Sequence, residues 1–200
     1  MFKRTFQLLL VPCLVTGTLC AATDPFVGDW KLDPVHTSVE FVARHLMVSK
    51  VRGRFTNVQG TIHVAEDPAE SWVEVDIDAA SVESGDEKRD EHLRSPDFFD
   101  VARYPQITFK STRVEGESPG HFLVHGDLTV HGVTRAVSLE VEYHGWTPDP
   151  MGDRRAGFSA STEVDREDFG LTWNMAVEAG GFLVGKKARL EFEIEAIKQS

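Results

Sequence analysis

The sequence predicts an all-β fold: an antiparallel barrel of about eight or more strands, with a short helix and plug segment near residues 86–104. Three observations carry that reading. Apolar residues recur at every second position in segment after segment, as where Val73, Val75, Ile77 and Ala79 alternate with Glu74, Asp76 and Asp78, the period of a strand with one face in a core. One stretch only, Asp86 to Arg94, interrupts that rhythm with a charged, helix-compatible run. Many half-buried strands with polar outer faces also need closure, which removes exposed sheet edges.

Taken in order, Met1 to Ala22 places Lys3 and Arg4 before an apolar stretch from Phe6 to Val15 and ends on Cys20-Ala21-Ala22. This is the pattern of a cleavable secretory signal. Its apolar stretch is too short for a membrane span, which needs about 20 residues. Leu19 precedes Cys20 and Pro12 precedes Cys13, not the small residue a lipoprotein signal wants. The expectation is a signal peptide at 1–22 and one domain at 23–200, exported without stable membrane insertion. Both cysteines fall in the signal, so stability of the domain must come from burial rather than disulfides. The formal charge of −11 becomes more negative once Lys3 and Arg4 are removed, which argues against nucleic acid as a partner.

Gly28 to Asp33 and His36 to Leu46 read as two strands separated at Asp33-Pro34, the second with Val39, Phe41 and Ala43 on one face. Val51 to Ala65 reads as one long strand in which Gly53 and Gly60 are expected to bend or bulge. Ser71 to Ala80 follows as a strand of very regular alternation. The charged run, with acids Asp86 and Glu87 in front and Arg94 at the end, predicts a helix over 86–94. Beyond it, Pro96 and Pro105 bracket the adjacent aromatics Phe98 and Phe99, which cannot both face water without leaving apolar area exposed. Ile107, Phe109 and Ser111 begin the next strand. Phe122 to Val130 and Val133 to Tyr143 form a hairpin turning at His131-Gly132, and Ala156 to Val164 and Ala188 to Ile197 are the last two strands. Asp168 to Trp173 makes an irregular connection between those last two.

Arg89-Asp90, His92-Leu93, Ser95, Asp97 to Asp100, Tyr104-Pro105, Ile107 to Phe109 and Ser111 together resemble the signature of the YceI-like family. Further likeness comes from Leu32 to Phe41 with Arg44 to Leu46, Gly126 to Val130 with Gly132 to Thr134, Ala179 to Gly181, and Leu183 to Gly185. It covers essentially the whole domain. Lys186-Lys187 depart from it, standing where relatives more often carry acids, which affects surface charge. The resemblance implies a periplasmic, lipocalin-like barrel that binds polyisoprenoid and other long-chain lipids. It also makes a homodimer one arrangement to expect.

The predicted inner faces mix small residues (Ala43, Ser111, Gly126, Ala160, Thr162) with Phe41, Phe109 and Phe158. That pattern alone leaves a filled and a hollow barrel equally open; the resemblance implies a hollow one. Phe41, Phe98, Phe99, Phe109, Phe158 and Trp173 are therefore the candidate apolar lining or plug. Trp173, between irregular segments, reads by residue type more readily as a core anchor than as a ligand wall. Arg89, His92 and Arg94, beside the plug, are candidate headgroup contacts, with helix solubility as the alternative. Lys50, Arg52 and Arg54 share one strand side and suit either an anionic head or a solvated face.

No residue pattern points to catalysis, a metal or a cofactor. Gly116-Glu117-Ser118-Pro119-Gly120 has the spacing of a hydrolase nucleophile elbow but runs straight into another strand, where the elbow needs a helix. His121 and His125 would stand about 13 Å apart along a strand, too far for one metal ion. The function expected is an exported carrier holding an isoprenoid quinone, a polyprenyl phosphate or a long-chain amide. An enzyme acting on a lipid headgroup and an interaction module with a filled barrel remain the alternatives.

Overall fold

The strands follow one another as β1 (Gly28–Leu32), β2 (Ser38–His45), β3 (Ser49–Phe55), β4 (Val58–Val64), β5 (Trp72–Asp78) and β6 (Val82–Glu83), then helix α1 (Glu87–Arg94). After the plug come β7 (Gln106–Ser118), β8 (His121–Val130), β9 (Val133–Pro148), β10 (Arg154–Asp165) and β11 (Val184–Lys198). This computed structural model describes residues 26–176 and 181–200. The signal segment and its cleavage after Ala22, and Ala179-Gly180, lie outside the described residues. Among those described, no helix is long and apolar enough to cross a membrane.

All pairings are antiparallel, and the sheet closes through β1 and β11. It is an eight-strand barrel in which three of the strands are broken. Leu32 of β1 lies opposite Ala196, and Ser38 of β2 opposite Glu193, on the same edge of β11. Between them the chain pouches out at Pro34, which has no N–H to offer a ladder. The side chain of Asp33 accepts from the Val35 N–H at 3.0 Å and its backbone N–H still reaches the Glu195 carbonyl at 2.8 Å. The same interruption recurs next door. The long strand expected over Val51–Ala65 is divided at Thr56-Asn57 into β3, which pairs β2, and β4, which pairs β1. Neither Gly53 nor Gly60 is a bulge, because the register runs unbroken through both. β5 and β6 are likewise parted by the 3-10 turn Ala79–Ser81, capped by Asp78.

Inward positions are those the alternation marks. Ile77, Ala79, Ile107, Phe109, Leu128, Ala156, Phe158 and Ala196 are all buried. Trp30 is fully buried and donates its indole N–H to the Phe26 carbonyl at 2.8 Å. His131 and Gly132 form the β8–β9 turn with φ of 52° and 73°, the two positive values that a tight hairpin needs. Pro119-Gly120 turns β7 into β8, so the Gly-x-Ser-x-Gly stretch is hairpin and lacks the helix a nucleophile elbow requires.

Helix α1 starts at Glu87, one residue into the predicted span, because Asp86 stands outside it as the cap, its carboxylate accepting from the Arg89 N–H. Only Leu93 of the helix is buried, so apolar packing cannot be what holds it. Arg94 donates to the carbonyls of Ala80 and Val82 at 2.9 Å each, and Arg89 to the hydroxyl and carbonyl of Ser84 at 2.7 and 2.8 Å. These charged donors fasten the helix along β6.

The corner between β1 and β2 is fixed by Arg155. Its guanidinium lies 2.6 Å from Asp33 and Glu195 and 2.8 Å from Asp149, while His36 Nδ1 is 2.9 Å from Asp33. Asp33, His36 and Glu195 bring three ligand-type atoms within 4.8 Å of one another, but Arg155 already occupies the space between the two carboxylates. The hydrogen bond with His36, then that from Arg155, hold the Asp33 carboxyl down at about 2 against the opposing effect of burial. Because this lies below the unfolded value of 3.8, the stabilisation is complete above that value and is lost as pH falls through about 2. Urea midpoints measured from pH 5 to 2 should therefore drop more steeply for the native chain than for Asp33→Asn. Parallel curves would show that the corner gains nothing from this charge.

Candidate functional site

Two adjoining apolar chambers occupy the barrel. The larger, about 570 Å³, is walled by Phe26, Phe122, Val141 and Phe158 among others. The smaller, about 270 Å³, lies under the plug, against Phe41, Phe98, Phe99 and Trp173. Val39, Ile77, Leu128, Leu190 and Phe192 face both. Along β8 the lining runs from Phe122 through Leu128 to Val130, a path of about 26 Å at the rise of a strand. The larger chamber alone, and the two together, fall in the size range of small-molecule sites.

How large aromatics and open space share one wall is visible at two glycines. Phe41 lies opposite Gly53, and a Cβ on Gly53 would fall 2.3 Å from the tip of the Phe41 ring. A Cβ on Gly126 would likewise meet the tip of Phe109 at 2.5 Å. Each ring therefore lies over a neighbouring strand's backbone instead of standing into the chamber. Gly126 was legible as a small inward residue; the role of Gly53 was not.

The plug brings several candidate residues together. Phe99 is buried and meets Phe41 and Phe55 edge-on, at centroid distances of 6.1 and 5.4 Å. Phe98 lies half-buried, 5.3 Å from Trp173 and 5.0 Å from His92, and His92 meets Trp173 at 4.6 Å. Arg89 and His92 border the smaller chamber, and His92 Nε2 sits 2.9 Å from Asp97. Arg94 is not part of either chamber's lining; its donors hold strand carbonyls. Phe109 and Phe158 line the larger chamber. Outside the barrel, Arg52 pairs with Glu191 at 2.7 Å and Arg54 with Glu83 at 3.1 Å, which makes that row a solvated ion-paired face.

Two arginines escape the sequence reading. Arg155 and Arg166 sit in polar local sequence, and no periodicity marks them. Phe26, which stacks on Tyr143 at 4.3 Å, precedes the first strand and carries no pattern of its own. An outer concavity of about 530 Å³ is floored by Glu40, Glu140, Glu142, Glu191 and Glu193. Its carboxylates disfavour anionic ligands and leave little apolar wall, so the interior chambers are the candidate site.

An antiparallel barrel, hollow inside and plugged at one end by a helix and paired aromatics, places this chain among the lipocalin-like β-barrels. The family is equally plain, since the model of the YceI-like domain matches residues 30–196, and the chain belongs to the YceI-like family. A UPF0312 protein of Vibrio parahaemolyticus is 41% identical over 162 residues, covering 78% of this chain and 86% of the relative. One from Vibrio cholerae is 36% identical over 172 residues, covering 84% and 89%. Among solved structures, the Campylobacter jejuni YCEI protein superposes with a TM-score of 0.68 at 29% identity, over 78% of this chain and 90% of that one. Two more distant structures share the fold. BcnA of Burkholderia cenocepacia has a TM-score of 0.72 at 20% identity, over 82% and 98% of the two chains. A polyisoprenoid-binding domain from Saccharophagus degradans has 0.65 at 18%, over 85% and 98%.

The glycine beneath Phe41 is testable. Gly53→Val should push the ring into the smaller chamber, weakening uptake of an apolar fluorescent probe severalfold and costing about 1–3 kcal/mol through overpacking. Probe titration with a denaturant midpoint checks both, and unchanged probe affinity would show that the ring does not need the glycine to keep clear of the cavity.

Proposed function

We propose that this protein is an exported periplasmic carrier that sequesters one long-chain, isoprenoid-type lipid in the two adjoining chambers. The candidates are an isoprenoid quinone, a polyprenyl phosphate or a long-chain amide. The observation that carries the reading is the apolar lining running the length of β8 inside a closed barrel, and a packed scaffold would have no such space. Membership of the YceI-like family supports it, as does the polyisoprenoid binding named for the Saccharophagus degradans domain. Family and site both favour binding over catalysis. Covering on the order of 600 Å² of apolar chain yields roughly 15 kcal/mol gross, from which association and ordering costs are subtracted. That surplus suits retention rather than rapid exchange.

In this reading Phe98 and Phe99 have different duties. Phe99, buried against Phe41 and Phe55, belongs to the core; Phe98, edge-on to His92 and tilted against Trp173, closes the chamber. Native mass spectrometry with organic extraction of protein from the periplasm should find one long-chain lipid per chain. Phe98→Ser should speed lipid release at modest cost in stability, whereas Phe99→Ala should cost about 3–5 kcal/mol. Protein that carries no extractable lipid and takes up none would defeat the carrier reading. Equal release rates for native and Phe98→Ser protein would remove the lid.

A further inference from the structure

Arg166 opens the 3-10 turn after β10 and is 5% exposed. Its Nε donates to the Gly185 carbonyl at 3.0 Å and its Nη1 to the Leu171 carbonyl. Nη2 is buried and has no hydrogen-bond partner among the described residues. Nor does a carboxylate pair with it there: Asp165 and Glu167 act on it only through space, and Glu167 is held by Lys186 at 2.7 Å. A buried guanidinium lacking both a counter-charge and one of its acceptors is expensive. Native structures leave few such groups without a reason.

The residue that carries it stands against an interior space. Arg166 and Leu171 both line the smaller, plug-side chamber, whose wall is otherwise mainly apolar. The charged and titratable residues bordering it are Arg44, His45, Arg89, His92 and Arg166, against Glu40 alone. Glu40 in turn lies 3.5 Å from Arg52. Arg44 is exposed, so in a protein of formal charge −11 the guanidiniums that an interior head could meet in this chamber are those of Arg89 and Arg166. Arg89 is already bound to Ser84 and His92 to Asp97, which leaves Arg166 Nη2 as the donor in want of an acceptor.

We infer that the plug-side chamber takes the polar end of the ligand, and that Arg166 Nη2 donates to an oxyanion there, the carboxylate or phosphate of a lipid head. This rests on the carrier reading above and adds head chemistry and orientation to it: head beneath Phe98 and Trp173, tail toward Phe122 and Phe158. A hydrogen bond to an ionised group is about twice as strong as a neutral one, and a low-dielectric surrounding strengthens it further. An oxyanion therefore gains more from Arg166 than a neutral hydroxyl of the same tail.

Three probes with one tail and different heads test the inference: farnesol, farnesoic acid and farnesyl phosphate, titrated into delipidated full-length protein. One or both acids should bind at least tenfold tighter than farnesol, and which acid wins identifies carboxylate or phosphate as the head. Arg166→Gln should remove most of that preference, read as the ratio of acid to farnesol affinity measured on the same folded variant, and Arg166→Lys should keep part of it. Because Arg166 also ties Leu171 and Gly185 together, the variants are paired with a measurement on the native chain. The bound carboxyl of ¹³C-labelled farnesoic acid should titrate below its value in water if it meets the guanidinium, and above it if it lies in an apolar chamber. Equal affinity for all three probes, or a raised carboxyl titration, overturns the inference and leaves the carrier reading standing. Failure of every probe to bind overturns both.

Discussion

One edge of β11 has to serve two strands, and the rest of the barrel follows from how it does so. The antiparallel ring closes only where β1 meets the last residues of β11, yet β2 needs the adjoining part of that same edge. The chain meets both demands by ejecting Pro34 and folding Asp33 back on its own backbone. Arg155 then binds the corner to the β9–β10 turn through Asp149 and to β11 through Glu195. Because β3 and β4 must pair with these two halves, the break is passed to the next strand, and from there to β5 and β6. The part of the barrel beyond the breaks holds the smaller chamber, and the part before them the larger.

A barrel of this size can be filled by its own side chains or keep a space. This one keeps a space although its inner faces are rich in phenylalanine. Gly53 and Gly126 let rings lie along the wall, so that apolar area is buried without the central volume being filled. The arrangement forgoes some dispersion contact that a packed core would have. With no cysteine in residues 23–200, the hydrogen-bonded ring and the Arg155 corner are the available compensation.

The plug is held by different forces from the barrel. Helix α1 buries a single leucine and is fastened by arginine side chains to backbone carbonyls. A segment with few buried apolar contacts opens at lower free energy than the strands around it. Phe99 anchors its far side in the core, while Phe98, His92 and Trp173 form a small aromatic cover. That division suits a closure that can move without unfolding the barrel.

Much of this was legible in the residues alone. The alternation in Val73 to Ala79 and in Leu190, Phe192 and Ile194, the acids Asp86 and Glu87 at the helix start, the Pro119-Gly120 hairpin and the His131-Gly132 turn are all local features, each written within a few neighbouring residues. The family signature around Asp97 to Asp100 was legible too, and with it the expectation of a hollow interior. The divided strands were not, since a proline or short turn announces an interruption but not that both halves will pair along one neighbour. The glycine beneath Phe41 was hidden for the same reason, the ring and the glycine being partners only across the β2–β3 register. Arg166 was the least visible of all. Between Asp165 and Glu167 it reads as one charge in a solvated run, and only the carbonyls of Leu171 and Gly185, brought against it by the return of the chain, take it out of water. Periodicity and capping are short-range and survive in the sequence; burial, register and the shape of a cavity are sums over distant segments, which exist only once the barrel has closed.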